Sequence, residues 1–123
     1  ESSFHGLDNI PVERGCQGQA QVIILYRMVV SMLRLVLKLN ETSTIKDKRR
    51  VVSGIKDRLQ HRYRLSCAET DLLDSLVFAE IGAALVSNSA QYGEKVLQDA
   101  VTFIEDHYPV ELFEVQMHYE IYG

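Results

Sequence analysis

The spacing of apolar residues changes along the chain between two and about four positions, and the order of these changes constrains the fold more than any other feature. Period two is typical of a strand, and spacings of three and four are typical of a helix. From residue 28 onward the order is strand, helix, strand, strand, helix, strand. The predicted strands cover residues 29–39, 65–70, 77–87 and 111–122, and the predicted helices cover residues 45–62 and 90–107.

This order predicts a ferredoxin-like fold of the α/β (α+β) class, the split βαβ pattern. In this fold a four-stranded antiparallel sheet carries both helices on one face. Local signals support the helix ends. Thr44 is an N-cap residue with Asp47 three positions later, in the manner of a capping box, and Asn88 or Ser89 caps the second helix. Pro109 follows the second helix as a stop signal.

The apolar positions of each element predict which side faces the core. The first helix presents Ile45, Val52, Ile55, Leu59 and Tyr63, and the second presents Tyr92, Val96, Ala100, Phe103 and Ile104. The apolar face of the last strand is Phe113, Val115, Met117, Tyr119 and Ile121. On the first strand, Leu33, Leu35 and Leu37 are expected to face the helices.

Charge is distributed unevenly along the chain. Residues 28–64 contain ten Lys or Arg against three acidic residues, a net charge of +7, whereas residues 65–123 contain one Lys against eleven acidic residues, a net charge of −10. The isoelectric point near 5.5 argues against a purely basic nucleic-acid-binding protein. A polarised chain of this kind can neutralise itself internally or present one basic face to an anionic partner.

The first helix carries the candidate binding site. At 100° per residue, Lys46, Arg49 and Arg50 share an exposed quadrant, and cations on one rigid face are suited to phosphate contact. RNA is therefore a predicted partner; the alternatives are a solvated face that pairs with the acidic second half, or a protein contact. Lys48 falls inside the apolar stripe, where it either extends out past the sheet edge or joins the anion site. The third strand lacks an aromatic pair for base stacking, so any RNA contact is expected on helices and loops.

The opposite face of the predicted sheet is left bare by the helices. On the first strand Val30, Met32 and Val36 share this face with Arg34 and Lys38. Three apolar side chains on an uncovered central strand indicate a partner surface, and a homodimer is the simplest partner. The alternative is that the N-terminal arm covers this face.

The sequence shows no recognisable catalytic constellation. Its four histidines lack metal-ligand spacing, its two cysteines form no CxxC pair, and no P-loop, GxSxG or GxGxxG motif is present. We therefore predict a non-enzymatic domain with no catalytic residues, no metal and no small-molecule cofactor. Glu69, Asp71 and Asp74 could bind a divalent cation, but a solvated turn or salt bridges to the basic helix is the favoured interpretation. Glu80, if it faces inward, is expected to pair with Lys48 or Arg58.

Residues 1–27 are predicted to be an N-terminal extension (a leader, an arm or an added segment), and residues 28–123 to be the domain. Residues 1–19 show no periodicity, so a chain that begins at Met28 is expected to fold, although the apolar residues 22–26 could extend a strand. Charges interrupt the most apolar window, which disfavours a membrane segment. No signal-peptide pattern is visible and the two cysteines are 51 positions apart, which favours a cytoplasmic location.

From Met28 onward the sequence resembles the YlxP-like family of small bacterial domains of unknown function. The matching segments are Met28-Val29-Val30, residues 43–52, Ser66-Cys67-Ala68-Glu69 and residues 85–88, of which Lys46-x-Lys48-Arg49-Arg50 is the most specific. Ser31 stands where the family pattern has Gly. The resemblance implies a ferredoxin-like fold, no established reaction, and a link through gene neighbourhood to translation initiation and ribosome maturation.

Together these observations predict a non-enzymatic cytoplasmic domain that binds RNA or the ribosome through its basic first helix. The alternative is a homodimeric ligand-binding or regulatory module that makes no contact with nucleic acid.

Overall fold

The computed structural model describes residues 27–40 and 42–123 of the chain. The elements are β1 (Met28–Leu39), α1 (Ile45–Tyr63), β2 (Ser66–Asp71), β3 (Phe78–Ser87), α2 (Ala90–His107) and β4 (Val110–Tyr122). The predicted order is confirmed, and each predicted boundary lies within one residue of the observed one. Apart from Arg27, the predicted N-terminal extension lies outside the described residues.

The four strands form one antiparallel sheet in the order β2-β3-β1-β4. Because β1 is hydrogen-bonded on both sides, it is central, and the alternation of its side chains sets the two faces of the sheet. Its odd-numbered residues face α1 and α2, and its even-numbered residues lie on the open face. This is the predicted ferredoxin-like arrangement, with both helices on one face.

A single core lies between the helices and the sheet. Leu33, Leu35 and Leu37 of β1 are buried there, as predicted. They belong to one cluster with the buried stripe of α1 and that of α2, and each such side chain contributes roughly 1.5–3 kcal/mol when fully buried. To this cluster α1 contributes Val52, Ile55 and Leu59, and α2 contributes Leu97, Ala100, Val101 and Ile104.

Helix α1 begins with the predicted cap. The Thr44 hydroxyl accepts a hydrogen bond from the backbone N–H of Asp47 at 3.1 Å, and the Asp47 carboxylate accepts from the backbone N–H and the hydroxyl of Ser43. These hydrogen bonds from Ser43 hold the pKa of Asp47 below its ordinary value. The cap is therefore fully stabilising above the ordinary pKa of an aspartate, and its contribution falls as the pH drops through the lowered pKa.

The buried stripe of α2 differs from the predicted one. Ala100 and Ile104 are buried as predicted, but Tyr92 is 58% exposed and Gly93 occupies the buried position instead. Gly93 packs against Ser31 of β1 so closely that a methyl group at position 93 would lie 2.8 Å from the Ser31 Cβ and would overlap its hydroxyl. The prediction that Tyr92 faces the core was wrong. The close approach of α2 to β1 requires a residue without a side chain at the first buried position of α2, and that residue is Gly93.

A β-bulge changes the faces of β4. Residues 36 and 37 of β1 pair with Glu114 and Leu112, which leaves Phe113 without a partner on β1. Phe113 is 66% exposed, and its ring packs edge-on against Phe78 at 5.1 Å between centroids. The prediction that Phe113 shares the core face was therefore wrong, because the alternation of β4 restarts at the bulge.

The contact between Gly93 and Ser31 yields a stability test. Gly93→Ala gains up to about 1 kcal/mol of helix propensity, yet it should destabilise the domain, because overpacking costs about 1–3 kcal/mol. Adding Ser31→Gly removes the overlapping atoms and should recover much of that loss, so the two changes should couple by about 1 kcal/mol or more. Urea denaturation followed by circular dichroism measures all four proteins. Additive effects would show that the helix does not approach the sheet this closely.

Candidate functional site

The exposed cations Lys46, Arg49 and Arg50 lie at the start of α1, and we refer to these three residues as the basic face. The Nη1 atom of Arg50 lies 3.7 Å from the Oδ1 atom of Asp47, one helical turn earlier. Among residues 27–40 and 42–123, Lys46 and Arg49 form no ion pair with a carboxylate. The described part of the molecule therefore does not neutralise the basic face with the acidic second half of the chain.

The geometry of α1 holds the basic face in a fixed position. The helix is capped at Thr44 and packs its opposite side into the core, so the three cations project from a rigid first turn and a half. Lys46 and Arg50 are four residues apart, which is about 6 Å along the axis. The partial positive charge at a helix N-terminus adds to the potential of these side chains.

Lys48 belongs to the sequence-predicted site but points into the molecule. Its side chain is 2% exposed, and its Nζ atom donates to the backbone carbonyl of Leu72 at 2.5 Å and, more weakly, to that of Leu73 at 3.4 Å. The same Nζ lies 3.2 Å from the Oε2 atom of Glu69, a charge contact at an angle outside hydrogen-bond geometry. The ammonium group is thus already engaged, and the structure separates Lys48 from the basic face.

Lys48 also fixes the connection between β2 and β3. Leu72 has a positive φ of 61°, a left-handed conformation, and its carbonyl accepts from both Lys48 and the N–H of Ser75. The prediction of a salt bridge to the basic helix is confirmed for Glu69. The other two acids of the predicted cluster, Asp71 and Asp74, are exposed in the connection.

Arg58 and Arg62, further along α1, meet an aromatic group on α2. The guanidinium carbon of Arg62 lies 4.9 Å from the Phe103 ring centroid, and that of Arg58 lies 5.7 Å from it. The His107 ring is stacked on Phe103 at 4.0 Å with 19° between the planes, and the Tyr63 ring meets Phe103 edge-on. We refer to these five residues as the arginine–aromatic cluster. Sequence reasoning missed it because the two i, i+4 pairs become neighbours only when α1 and α2 pack side by side.

The open face of the sheet contains an ionic network that joins all four strands. Arg34 of β1 binds Glu80 of β3 at 2.9 Å and Glu114 of β4 at 3.1 Å, and the hydroxyl of Thr70 of β2 donates to Glu80. Glu80 therefore pairs with Arg34, and the predicted partners Lys48 and Arg58 were wrong, because Glu80 lies on the open face rather than under the helices.

The three residues of the predicted dimer surface, Val30, Met32 and Val36, differ in their exposure. Val36 lies on the open face but is only 5% exposed, and it is flanked by Glu80 and Glu114, the two carboxylates that Arg34 bridges. Val30 and Met32 are half-buried and line a shallow groove with Met28, Glu120 and Tyr122. On β3, Val86 pairs with Val30 and is 64% exposed. This groove is thus at the end of the open face where β1 begins, and Phe78, which packs against the exposed Phe113, lies at the other end.

The described residues offer little for covalent or metal chemistry. Within residues 27–40 and 42–123, no group of three or more His, Cys, Asp or Glu side chains is arranged to hold a metal ion. Burial raises the pKa of the Cys67 thiol, so the reactive thiolate is disfavoured at neutral pH. No helix in this part of the chain is long and apolar enough to cross a bilayer.

Comparison with known proteins identifies the family. Residues 30–117 match the model of a family described as "Protein of unknown function (DUF503)". The chain belongs to the DUF503 family. It is also 31% identical over 71 residues to "Uncharacterized protein YlxP" of Bacillus subtilis (strain 168), an alignment that covers 58% of this chain and 77% of that protein. The resemblance to the YlxP-like family is confirmed, and neither description names an enzymatic activity.

Two solved structures are similar at low sequence identity. One is the de novo designed protein Foldit4, with 14% identity, a TM-score of 0.40 and coverage of 74% of this chain and 96% of that one. The other is a structural genomics target, protein YJCS, with 4% identity, a TM-score of 0.42 and coverage of 72% and 96%. Both TM-scores are below 0.5, so neither protein informs the function of this DUF503 domain.

The Lys48 contacts predict an asymmetric response to substitution. Glu69→Gln leaves a buried ammonium without its counter-charge and should destabilise the domain by about 2–4 kcal/mol. Lys48→Met retains the stem and should cost less, because the Glu69 side chain left behind is 17% exposed, whereas that of Lys48 is 2% exposed. Urea denaturation of the two variants and of the double variant measures this. An effect of Glu69→Gln below about 0.5 kcal/mol would show that the two carbonyls alone satisfy Lys48.

Proposed function

We propose that this DUF503 domain binds RNA through the basic face of α1, and that the ribosome or one of its assembly intermediates carries that RNA. The observation that supports the proposal is the exposure of three cations on one rigid helical turn and a half. Two of the three, Lys46 and Arg49, form no ion pair within the described residues. The link of YlxP-like proteins to translation makes the ribosome the first RNA to test.

The charge distribution favours one mode of approach. Since the acidic residues lie mainly after residue 64, a polyanion is repelled by much of the molecule and attracted to α1. Neutralising phosphates releases counterions, and each contact to a single strand contributes about 0.7 to the slope of log K against log salt. Three contacts therefore give a slope of about −2, a weak but measurable dependence. An RNA partner also agrees with the cytoplasmic location predicted from the sequence.

The proposal predicts that Lys46→Glu together with Arg49→Glu abolishes binding to ribosomal subunits at low salt. Both side chains project from the core, so the folding stability should change by less than about 0.5 kcal/mol per site. Arg50 is tested separately as Arg50→Gln, because a glutamate there would repel Asp47 of the cap. Co-sedimentation with purified bacterial ribosomal subunits across a salt series is the measurement.

The matched control is Lys38→Glu together with Lys95→Glu, which changes the net charge by the same amount. Lys38 lies on the open face of the sheet, and Lys95 lies on α2, where it pairs with Asp99 at 3.6 Å. The control should bind like the wild type if α1 is the contact. An equal loss of ribosome binding in both double variants would indicate a response to net charge only. Unchanged binding by the variant with Lys46→Glu and Arg49→Glu would refute the proposal.

A second candidate function is self-association through the open face, and the exposed apolar end of that face favours it. A sheet of this size presents about 500–600 Å² on one side, or roughly 1,000–1,200 Å² in a pair of copies, which is at the lower limit of specific interfaces. The same face carries the cations of β1 and the carboxylates of β4, so two copies can also complement each other in charge. The interface would use Val30, Met32 and Val86 but not the covered Val36.

Met32→Glu should convert such a dimer into a folded monomer, because the residue lies outside the core of the single chain. Val86→Glu should act in the same way from the neighbouring strand. Tyr92→Glu, at an exposed aromatic residue of the helical layer, is the control and should remain dimeric. Light scattering at about 100 μM decides between the states, since a dissociation constant in the micromolar range leaves mostly dimer there. A monomeric wild type at this concentration would refute self-association.

A further inference from the structure

The arginine–aromatic cluster combines two features that single-stranded RNA requires. Planar side chains provide surfaces on which bases stack, and arginines provide charge for phosphates. In this cluster the rings of Phe103 and His107 are stacked, and the guanidinium groups of Arg58 and Arg62 lie near the Phe103 ring. His107, Arg58 and Arg62 are all exposed, whereas Phe103 is half-buried.

We propose that the arginine–aromatic cluster is a stacking site for an unpaired RNA base, with the base on the imidazole of His107 and the neighbouring phosphates on Arg58 and Arg62. This inference rests on the proposed RNA-binding function and specifies its ligand as a single strand. Phe103 holds the imidazole from beneath, and the Nδ1 atom of His107 is 3.0 Å from the Phe103 carbonyl oxygen, so the ring orientation is fixed before a base arrives.

The charges around the cluster leave the two arginines available. Within residues 27–40 and 42–123, neither Arg58 nor Arg62 forms an ion pair with a carboxylate, and Arg62 donates instead to the Tyr63 hydroxyl at 3.2 Å. On the adjoining side of α2, the Asp99 carboxylate is paired with Lys95. A phosphate can therefore approach from the α1 side, where the cations are, and its base then reaches the rings at the junction of the two helices.

The cluster and the basic face lie along the same helix. Lys46 and Arg62 are sixteen residues apart, which is about 24 Å along α1 and about 160° around its axis, so the path between them crosses the exposed side of the helix. A strand of about ten nucleotides, at 3.4 Å or more per nucleotide, is long enough to reach from one to the other. A duplex could contact the same cations, but its paired bases are stacked within the helix and cannot reach His107. The cluster thus predicts a preference for unpaired RNA that the basic face alone does not.

The test compares a labelled single-stranded RNA of about ten nucleotides with the blunt duplex of the same strand, by fluorescence anisotropy across a salt series. His107→Ala should weaken binding of the single strand at least fivefold, as expected for the loss of one stacked base. It should leave binding of the duplex and the salt slope of the single strand unchanged, because no phosphate contact is removed. His107→Phe retains a ring and should retain the affinity, which separates stacking from hydrogen bonding or charge.

Tyr92→Ala is the matched control, since it removes an exposed ring from the same helix fifteen residues away, about 22 Å along the axis. It should bind both RNAs like the wild type, and circular dichroism verifies that each variant is folded. Single-strand binding that His107→Ala leaves unchanged would overturn the stacking site. An equal loss of single strand and duplex would overturn it as well.

The two proposals fail in distinguishable ways. If the wild type binds RNA, and Lys46→Glu with Arg49→Glu abolishes that binding while His107→Ala does not affect it, the basic face is retained and the stacking site is refuted. If the wild type binds neither the single strand nor the duplex at low salt, the proposed RNA-binding function itself is refuted, and the stacking site with it.

Discussion

The buried ammonium group of Lys48 is the interaction on which the arrangement of the candidate site depends. A buried charge must be compensated, and here the compensation comes from Glu69 and from two carbonyls of the β2–β3 connection. Because these partners lie in the sheet layer, they fix the rotation of α1 about its axis. Lys46 and Arg50 are two positions from Lys48 in either direction, or 200° around the helix, so they must project to the opposite side. Lys48 is not part of the basic face, but its contacts determine the direction in which the basic face projects.

The two faces of the sheet depend on the central strand in a comparable way. The odd-numbered residues of β1 face the core, and the even-numbered residues of this strand form a polar half and an apolar half on the open face. Arg34 organises the polar half by joining carboxylates from the strands on both sides, and Val36 between these carboxylates is buried. The apolar half, around Val30 and Met32, is half-buried and lines the shallow groove. This contrast within one strand is why self-association is proposed for one end of the face only.

The helical layer, by comparison, contains both of the contacts that we propose for RNA. At the start of α1 the cations are separated from the acidic half of the chain, and at its end the arginines lie over an aromatic pair from α2. A ferredoxin-like sheet that lacked stacking aromatics on its third strand was expected to bind RNA, if at all, through helices and loops. The cluster on Phe103 and His107 provides such a location, on the helices and not on the sheet.

The sequence by itself determined the order and boundaries of the elements, the fold, the helix cap at Thr44 and the concentration of positive charge on α1. These properties follow from local spacing and local hydrogen bonds, which are readable over a few residues. Tertiary structure alone decided the burial of Gly93 in place of Tyr92, the bulge at Phe113, the partners of Glu80 and Lys48, and the meeting of Arg62 with Phe103. Each of these depends on how closely two elements that are distant in the chain approach one another. That distance cannot be deduced from the periodicity of a single element. The candidate site was therefore predictable as a set of charges, whereas its orientation and its aromatic neighbour required the packed molecule.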